Sequence, residues 1–143
     1  MSLFVIDASV AAKWFLPGRG ESLTKEAFDL LGRYAKGEIR FVVPDLFWAE
    51  FGNILWKAAR HGRCTRRAAE GAIAAMQDRK LPTVPSQALL GPAFAIATAF
   101  DRTVCDALYA ALALGSRGQL VTADEKLANA LAAHLPVKWL GAV

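Results

Sequence analysis

Apolar positions fall into short runs of strand-forming residues, separated by longer stretches in which they recur at helical spacing. Residues 3–6 predict a strand ending at Asp7 and Ser9, two helix-capping residue types. A helix over 10–16 follows, closed by Pro17, Gly18 and Gly20. Ala27, Phe28, Leu30, Leu31 and Tyr34 mark a helix over 24–35 that Gly37 stops. Residues 41–43 read as a second strand, cut off by Pro44. Asp45 then stands where it would cap a helix to about His61, ended by Gly62. Another helix is predicted over 65–80, a short strand at Thr83 and Val84, and a helix over 86–100. Thr103 opens a helix through Leu114, ended by Gly115 and Gly118. Residues 119–122 are strand-like, 124–134 helical, and 137–140 a final strand.

This alternation predicts an α/β fold, a single domain over 1–143 with a mostly parallel central sheet flanked by helices. No repeat or low-complexity linker interrupts it. A length of 143 residues suits one domain rather than two, and 55% hydrophobic against 21% charged residues predicts a sizeable core and argues against disorder. The apolar surplus, four Trp included, also suits burial against another protein. A net charge of +4 suits a polyanionic partner but is common without one. Cys64 and Cys105 lack the spacing of a zinc site or a redox pair. The first 15 residues carry Asp7 within their apolar stretch and have no basic start, unlike a signal peptide. Residues 81–100 are uncharged over the length of a membrane span, yet Pro82, Pro85 and Pro92 break them up. No membrane segment is expected, and a reducing, cytoplasmic setting is. Neither GxxxxGK[ST] nor GxGxxG occurs, which disfavours phosphate-loop and dinucleotide folds.

Four acids then stand out. In parallel sheets ligands gather beyond the carboxyl ends of the strands. Asp7 follows the first strand and Asp124 the strand over 119–122, so both emerge on one edge. Glu50 lies within the helix after Asp45, and Asp106 near the start of the helix from Thr103. Carboxylates ~4 Å apart repel by roughly 4 kcal/mol per pair at an effective dielectric of about 20. A hard divalent cation with oxygen ligands removes that cost. Each acid also has a plainer role. Asp7 and Asp124 fit helix caps, and Thr103 with Asp106 fits a capping box. Glu50 shares a polar stripe with Asn53, Lys57, Arg60 and His61, opposite Phe47, Phe51, Leu55 and Ala58. Taken singly, each is better explained by that plainer role.

Their flanking residues change the balance. FVIDASVAAKW, VPDLFWAEFGNIL, TVCDALYAALAL and LVTADEKLANAL resemble, in order and at roughly matching spacing, the four motifs of PIN domains. The resemblance spans the chain and extends to VapC-type ribonuclease toxins of VapBC toxin–antitoxin pairs. It implies a Mg2+- or Mn2+-dependent endoribonuclease that hydrolyses RNA, held by an antitoxin protein and assembled as a homodimer. By that likeness Asp7, Glu50 and Asp106 are the first-choice metal ligands, with Asp124 direct or through water; Ser9, Asn53, Tyr109 and Thr122 accompany them. Ser9 and Thr122 would orient the acids or bind water or phosphate. Two positions depart from the pattern: Cys105 stands where an aromatic residue is frequent, and Lys126 where some relatives carry a further acid, which argues against a second metal. Asp101 is better read as a loop cap than as a fifth member.

Lys57, Arg60, Arg63, Arg66 and Arg67 form a run without acids that would track RNA phosphates, or else a solvated helical corner. Lys13 and Trp14 would line the acidic edge or merely finish a helix face; Trp48 and Trp56 are expected to pack in a core or interface. An inactive PIN-like RNA-binding or scaffold module is the alternative function, disfavoured because such a module has no need of four mutually repelling acids. A structure-specific DNA nuclease is the third reading, and this chain has little room for the DNA-gripping additions it would need.

Overall fold

β1 (Ser2–Ile6) is the strand around which the fold is organised in this computed structural model, which describes residues 2–16, 18 and 21–143. It is followed by α1 (Ala8–Ala12), α2 (Thr24–Ala35), β2 (Ile39–Pro44) and α3 (Leu46–Arg60). Next come α4 (Arg66–Asp78), β3 (Thr83–Val84), α5 (Ser86–Phe100) and α6 (Val104–Gly115). The chain ends with β4 (Gln119–Thr122), α7 (Glu125–Leu131), β5 (Val137–Trp139) and a 3-10 turn, Leu140–Ala142.

Among the described residues these strands make one five-stranded sheet in the order β3-β2-β1-β4-β5, every pair parallel. The expected mostly parallel sheet is therefore wholly parallel. Val5 and Ile6 of β1 and Leu120 and Val121 of β4 are fully buried, as strands covered on both faces must be. The chain steps outward from β1 to β2 and β3 on one side and to β4 and β5 on the other. The order reverses between β1 and β4, and there the carboxyl ends of two neighbouring strands open a crevice.

Helical patterning decides the packing. Phe47, Phe51, Leu55 and Ala58 of α3 are buried, as the stripe predicts. Phe47 and Phe51 stack with centroids 5.8 Å apart, and each such ring stabilises the fold by about 1.5–3 kcal/mol through burial. α6 is buried from Ala107 to Ala113, its four alanines allowing close approach to the sheet. The uncharged run after Leu81 becomes β3 and α5, and the chain turns by 115° between α5 and α6. No single helix among the described residues is long and apolar enough to cross a membrane.

Local corrections have local causes. The helix expected over 10–16 starts at Ala8, because Asp7 accepts the Val10 N–H (3.2 Å), and gives way after Ala12 to a tight turn. Pro17 and Gly20, expected to close it, lie outside the described residues. Asp45 adopts helical torsions and does not cap α3. Its carboxylate instead accepts the Ser86 N–H (3.1 Å) and hydroxyl at the start of α5. Pairing of β2 with β3, continued by Asp45 N–H to Val84 O at 2.9 Å, brings that amide within reach. α7 stops at Leu131 and β5 at Trp139, each short of expectation.

The α6 exit also differs. Arg117 takes the left-handed conformation (φ +57°) where a glycine was expected to act. Gly118 serves a different need: a Cβ there would sit 2.8 Å from the Leu3 carbonyl oxygen. The expected result of Gly118→Ala is a loss of about 1–3 kcal/mol, because strand backbone must shift to admit the methyl. Urea unfolding measures it, and a wild-type midpoint would show the contact to be unimportant.

Candidate active site

Asp7 leaves β1 at the crevice and becomes the N-cap of α1. Its Oδ1 accepts the Ser9 hydroxyl and the Val10 N–H; its Oδ2 accepts the Thr122 hydroxyl from the end of β4. Thr122 is fully buried and also accepts the Asp124 N–H at 3.0 Å. One threonine thus fixes the acids that follow two adjacent strands. Asp124 in turn caps α7 through the Leu127 N–H, at 3.1 Å.

Glu50 reaches the crevice from the polar stripe of α3, and the Tyr109 hydroxyl of α6 donates to its Oε1. Asp106 lies in the first turn of α6, where Thr103 accepts its N–H at 3.1 Å. The capping box is one-sided, since the Asp106 carboxylate faces Arg102, 3.6 Å away, instead of turning back. Asp7, Ser9, Glu50, Asn53, Asp106, Tyr109 and Asp124 line one cleft of about 250 Å³, with Ala8, Ile54 and Leu127 as its apolar wall. The sequence-predicted acids are therefore neighbours, with Ser9 and Asn53 beside them and Thr122 directly behind.

Electrostatics carry the imprint of this gathering. Burial pushes the Asp7 carboxyl above its ordinary range, against the opposing pull of its Ser9, Thr122 and Val10 donors. Burial also raises Glu50; the Tyr109 hydrogen bond opposes this, while the charges of Asp7 and Asp106 add to it. The Tyr109 phenol is raised by burial and by Glu50, so it remains a protonated donor. Excess negative charge facing shared solvent suits a hard cation, and every candidate ligand is an oxygen donor. Among the described residues, however, no three acidic, histidine or cysteine side chains stand close enough to grip one ion between them. The donor set fits Mg2+ or Mn2+ in the manner of a cation held by one or two carboxylates and otherwise by water.

Other expected residues are dispersed. Lys13 is buried, donating to Glu21 Oε1 and Ser22 O at 2.7 Å each, and Trp14 stacks on Phe41 at 5.8 Å; neither lines the cleft. Arg63 is held by Glu21 (2.8 Å) and Arg66 by Glu70 (3.2 Å), while Arg60 lies over Trp56. Lys57 and Arg67 are exposed and have no ion-pair partner among the described residues. Trp48 packs on Phe47 as expected, whereas Trp56 is 54% exposed. Asp101 is the left-handed C-cap of α5 and does not line the cleft. Arg102 escaped the sequence reading, although its i,i+4 spacing to Asp106 on a helix start was visible.

A sequence model described as the PIN domain matches residues 4–131, a span holding all four acids. The chain belongs to the PIN-domain family. No curated protein matches it. Among solved structures, this PIN domain is similar to PAE2754 from Pyrobaculum aerophilum, with TM-score 0.69 and 22% identity over 99% of this chain and 91% of that one. VapC20 of Mycobacterium tuberculosis, a sarcin–ricin loop cleaving toxin, matches with TM-score 0.65 and 20% identity, covering 94% and 96%. A toxin–antitoxin complex from Klebsiella pneumoniae gives 0.62 and 18%, covering 96% of each chain. At these identities the likeness is one of fold.

The raised Glu50 carboxyl has a consequence for stability. Folding lifts its pKa above the unfolded value of 4.5, so the native state binds the proton more tightly. The metal-free protein therefore loses stability as pH rises from about 4.5 through the higher folded value. In chelator, Glu50→Gln is expected to melt above wild type at neutral pH, with the gap closing near pH 4. Melting curves across that range check the sign, and a variant that melts lower at neutral pH contradicts it.

Proposed function

We propose that this PIN domain is a Mg2+- or Mn2+-dependent endoribonuclease acting in the cytoplasm as the toxin of a toxin–antitoxin pair. The observation that carries the reading is the cleft at the strand-order reversal, onto which Asp7, Glu50, Asp106 and Asp124 open from four separate segments. Membership of the PIN family supports it, as do similar folds that include a sarcin–ricin loop cleaving toxin and a toxin–antitoxin complex.

When bound, a divalent cation polarises a phosphodiester oxygen and lowers the pKa of a water molecule for in-line attack. Asp7, Glu50, Asp106 and Asp124 are the residues we assign to hold it, at most two of them directly and the others through bound water. Ser9 and Thr122 keep Asp7 oriented by donating to it. Asn53, on the cleft rim, is placed to bind a phosphate or ribose oxygen. Lys57 and Arg67 are the members of the basic run free to meet phosphates, with Arg60 next to Lys57 on the same helix. Arg63 and Arg66 are engaged with acids of this chain and contribute less.

Partner assignments follow the same reading. The exposed apolar residues of α5, Leu90 and Phe94 (52% and 63% accessible), make that helix the face we assign to a homodimer. An antitoxin would silence the enzyme by neutralising or covering the acidic cleft.

Cleavage of defined RNAs is expected with Mg2+ or Mn2+, to vanish in chelator, and to fall by at least about 100-fold in Asp7→Asn. Cutting without metal, or full activity in that variant, overturns the assignment. Lys57→Ala with Arg67→Ala is expected to weaken RNA binding and to flatten its salt dependence by roughly 0.7 per lost phosphate contact. An unaltered salt slope in filter binding removes the basic track.

A further inference from the structure

Asp7 and Glu50 are held in contrasting ways. Asp7 receives three donors, two from α1 and one from β4, out of the roughly four lone-pair directions that a carboxylate offers. It is locked whatever else happens in the cleft. Glu50 is a long side chain on the half-exposed stripe of α3, and the Tyr109 phenol is the single side-chain donor it has among the described residues. Without that contact, Glu50 would turn from the negative charges of Asp7 and Asp106 toward water, where its charge is better solvated.

Tyr109 itself is well placed for the task. It is only 3% exposed and sits on the buried face of α6, three residues beyond Asp106. Its ring is fixed by packing, so the hydroxyl presents a donor of defined position rather than one that follows Glu50. A hydrogen bond to a charged acceptor, aimed by a rigid ring, selects one side-chain conformation out of several. Oε1 is committed to the phenol, and Oε2 has no protein donor among the described residues.

We infer that the Tyr109 hydroxyl is a positioning residue: it tethers Glu50 inside the cleft against the repulsion of its acidic neighbours and leaves the second carboxylate oxygen for a divalent cation. The inference rests on the metal-dependent reading above and adds to it a residue that acts through Glu50. Tyr109 then belongs to the site through Glu50 and not as a core residue whose hydroxyl happens to be satisfied.

A double-mutant cycle read by Mn2+ binding, followed by electron paramagnetic resonance, separates those roles. Tyr109→Phe keeps the ring and is expected to weaken Mn2+ about 10- to 100-fold, the usual effect of losing a partner that orients a metal ligand. In a Glu50→Ala background the same change is expected to cause no further loss. Equal Mn2+ affinity in Tyr109→Phe and wild type overturns the inference, as does an equal loss in both backgrounds, which would mark a purely structural role. Glu50→Asp supplies a second arm that leaves the core untouched. It keeps the charge but falls short of the phenol, and wild-type Mn2+ affinity there also overturns the inference. If the wild-type protein binds no Mn2+ at all, the metal-dependent reading fails and this inference with it, an outcome distinct from the others.

Discussion

A carboxylate at the end of a buried strand is costly, and the way Asp7 is accommodated organises much of this PIN domain. Its two oxygens accept the Ser9 hydroxyl, the Val10 amide and the Thr122 hydroxyl. The first two contacts start α1, and the third joins β1 to β4 at the edge where the strand order reverses. Charge-assisted bonds of this kind recover part of the desolvation cost but not all of it, which is why the Asp7 carboxyl remains harder to ionise than an exposed one.

The same economy recurs around the cleft. Asp124 caps α7 while facing the site, and Thr103 caps α6 by accepting the amide of Asp106. Structural and chemical roles are not competing explanations for these residues. The Asp124 carboxylate has one oxygen on the Leu127 N–H and the other without a protein donor among the described residues, so one side chain fills both roles. Glu50 differs: it caps nothing and lies mid-helix, and among the described residues Tyr109 is the one side chain that donates to it.

Charge is distributed unevenly outside the cleft as well. A run of basic residues along α3 and into α4 looks uniform in one dimension, yet the fold sorts it. Arg63 joins Glu21 and buried Lys13 in a network between the α3–α4 corner and the segment after α1, and Arg66 pairs within its own helix. Lys57 and Arg67 are left facing water. Arg60 spreads over the exposed ring of Trp56, at 5.2 Å.

The sequence by itself determined the elements, because hydrophobic periodicity depends only on neighbours along the chain. Helix 24–35, strand 83–84, helix 86–100 and strand 119–122 were legible residue for residue. So was the buried stripe of α3, and the flanking motifs singled out four acids that the fold then gathers along one cleft. Tertiary structure decided what depends on partners distant in sequence. Asp45 caps α5 rather than α3 because pairing of β2 with β3 brings Ser86 to it; Lys13 is buried because Glu21 folds back over it; Tyr109 meets Glu50 across 59 positions. Hydrogen bonds and ion pairs are short-ranged and directional, so which donor finds which acceptor is settled only when the sheet has brought the segments together.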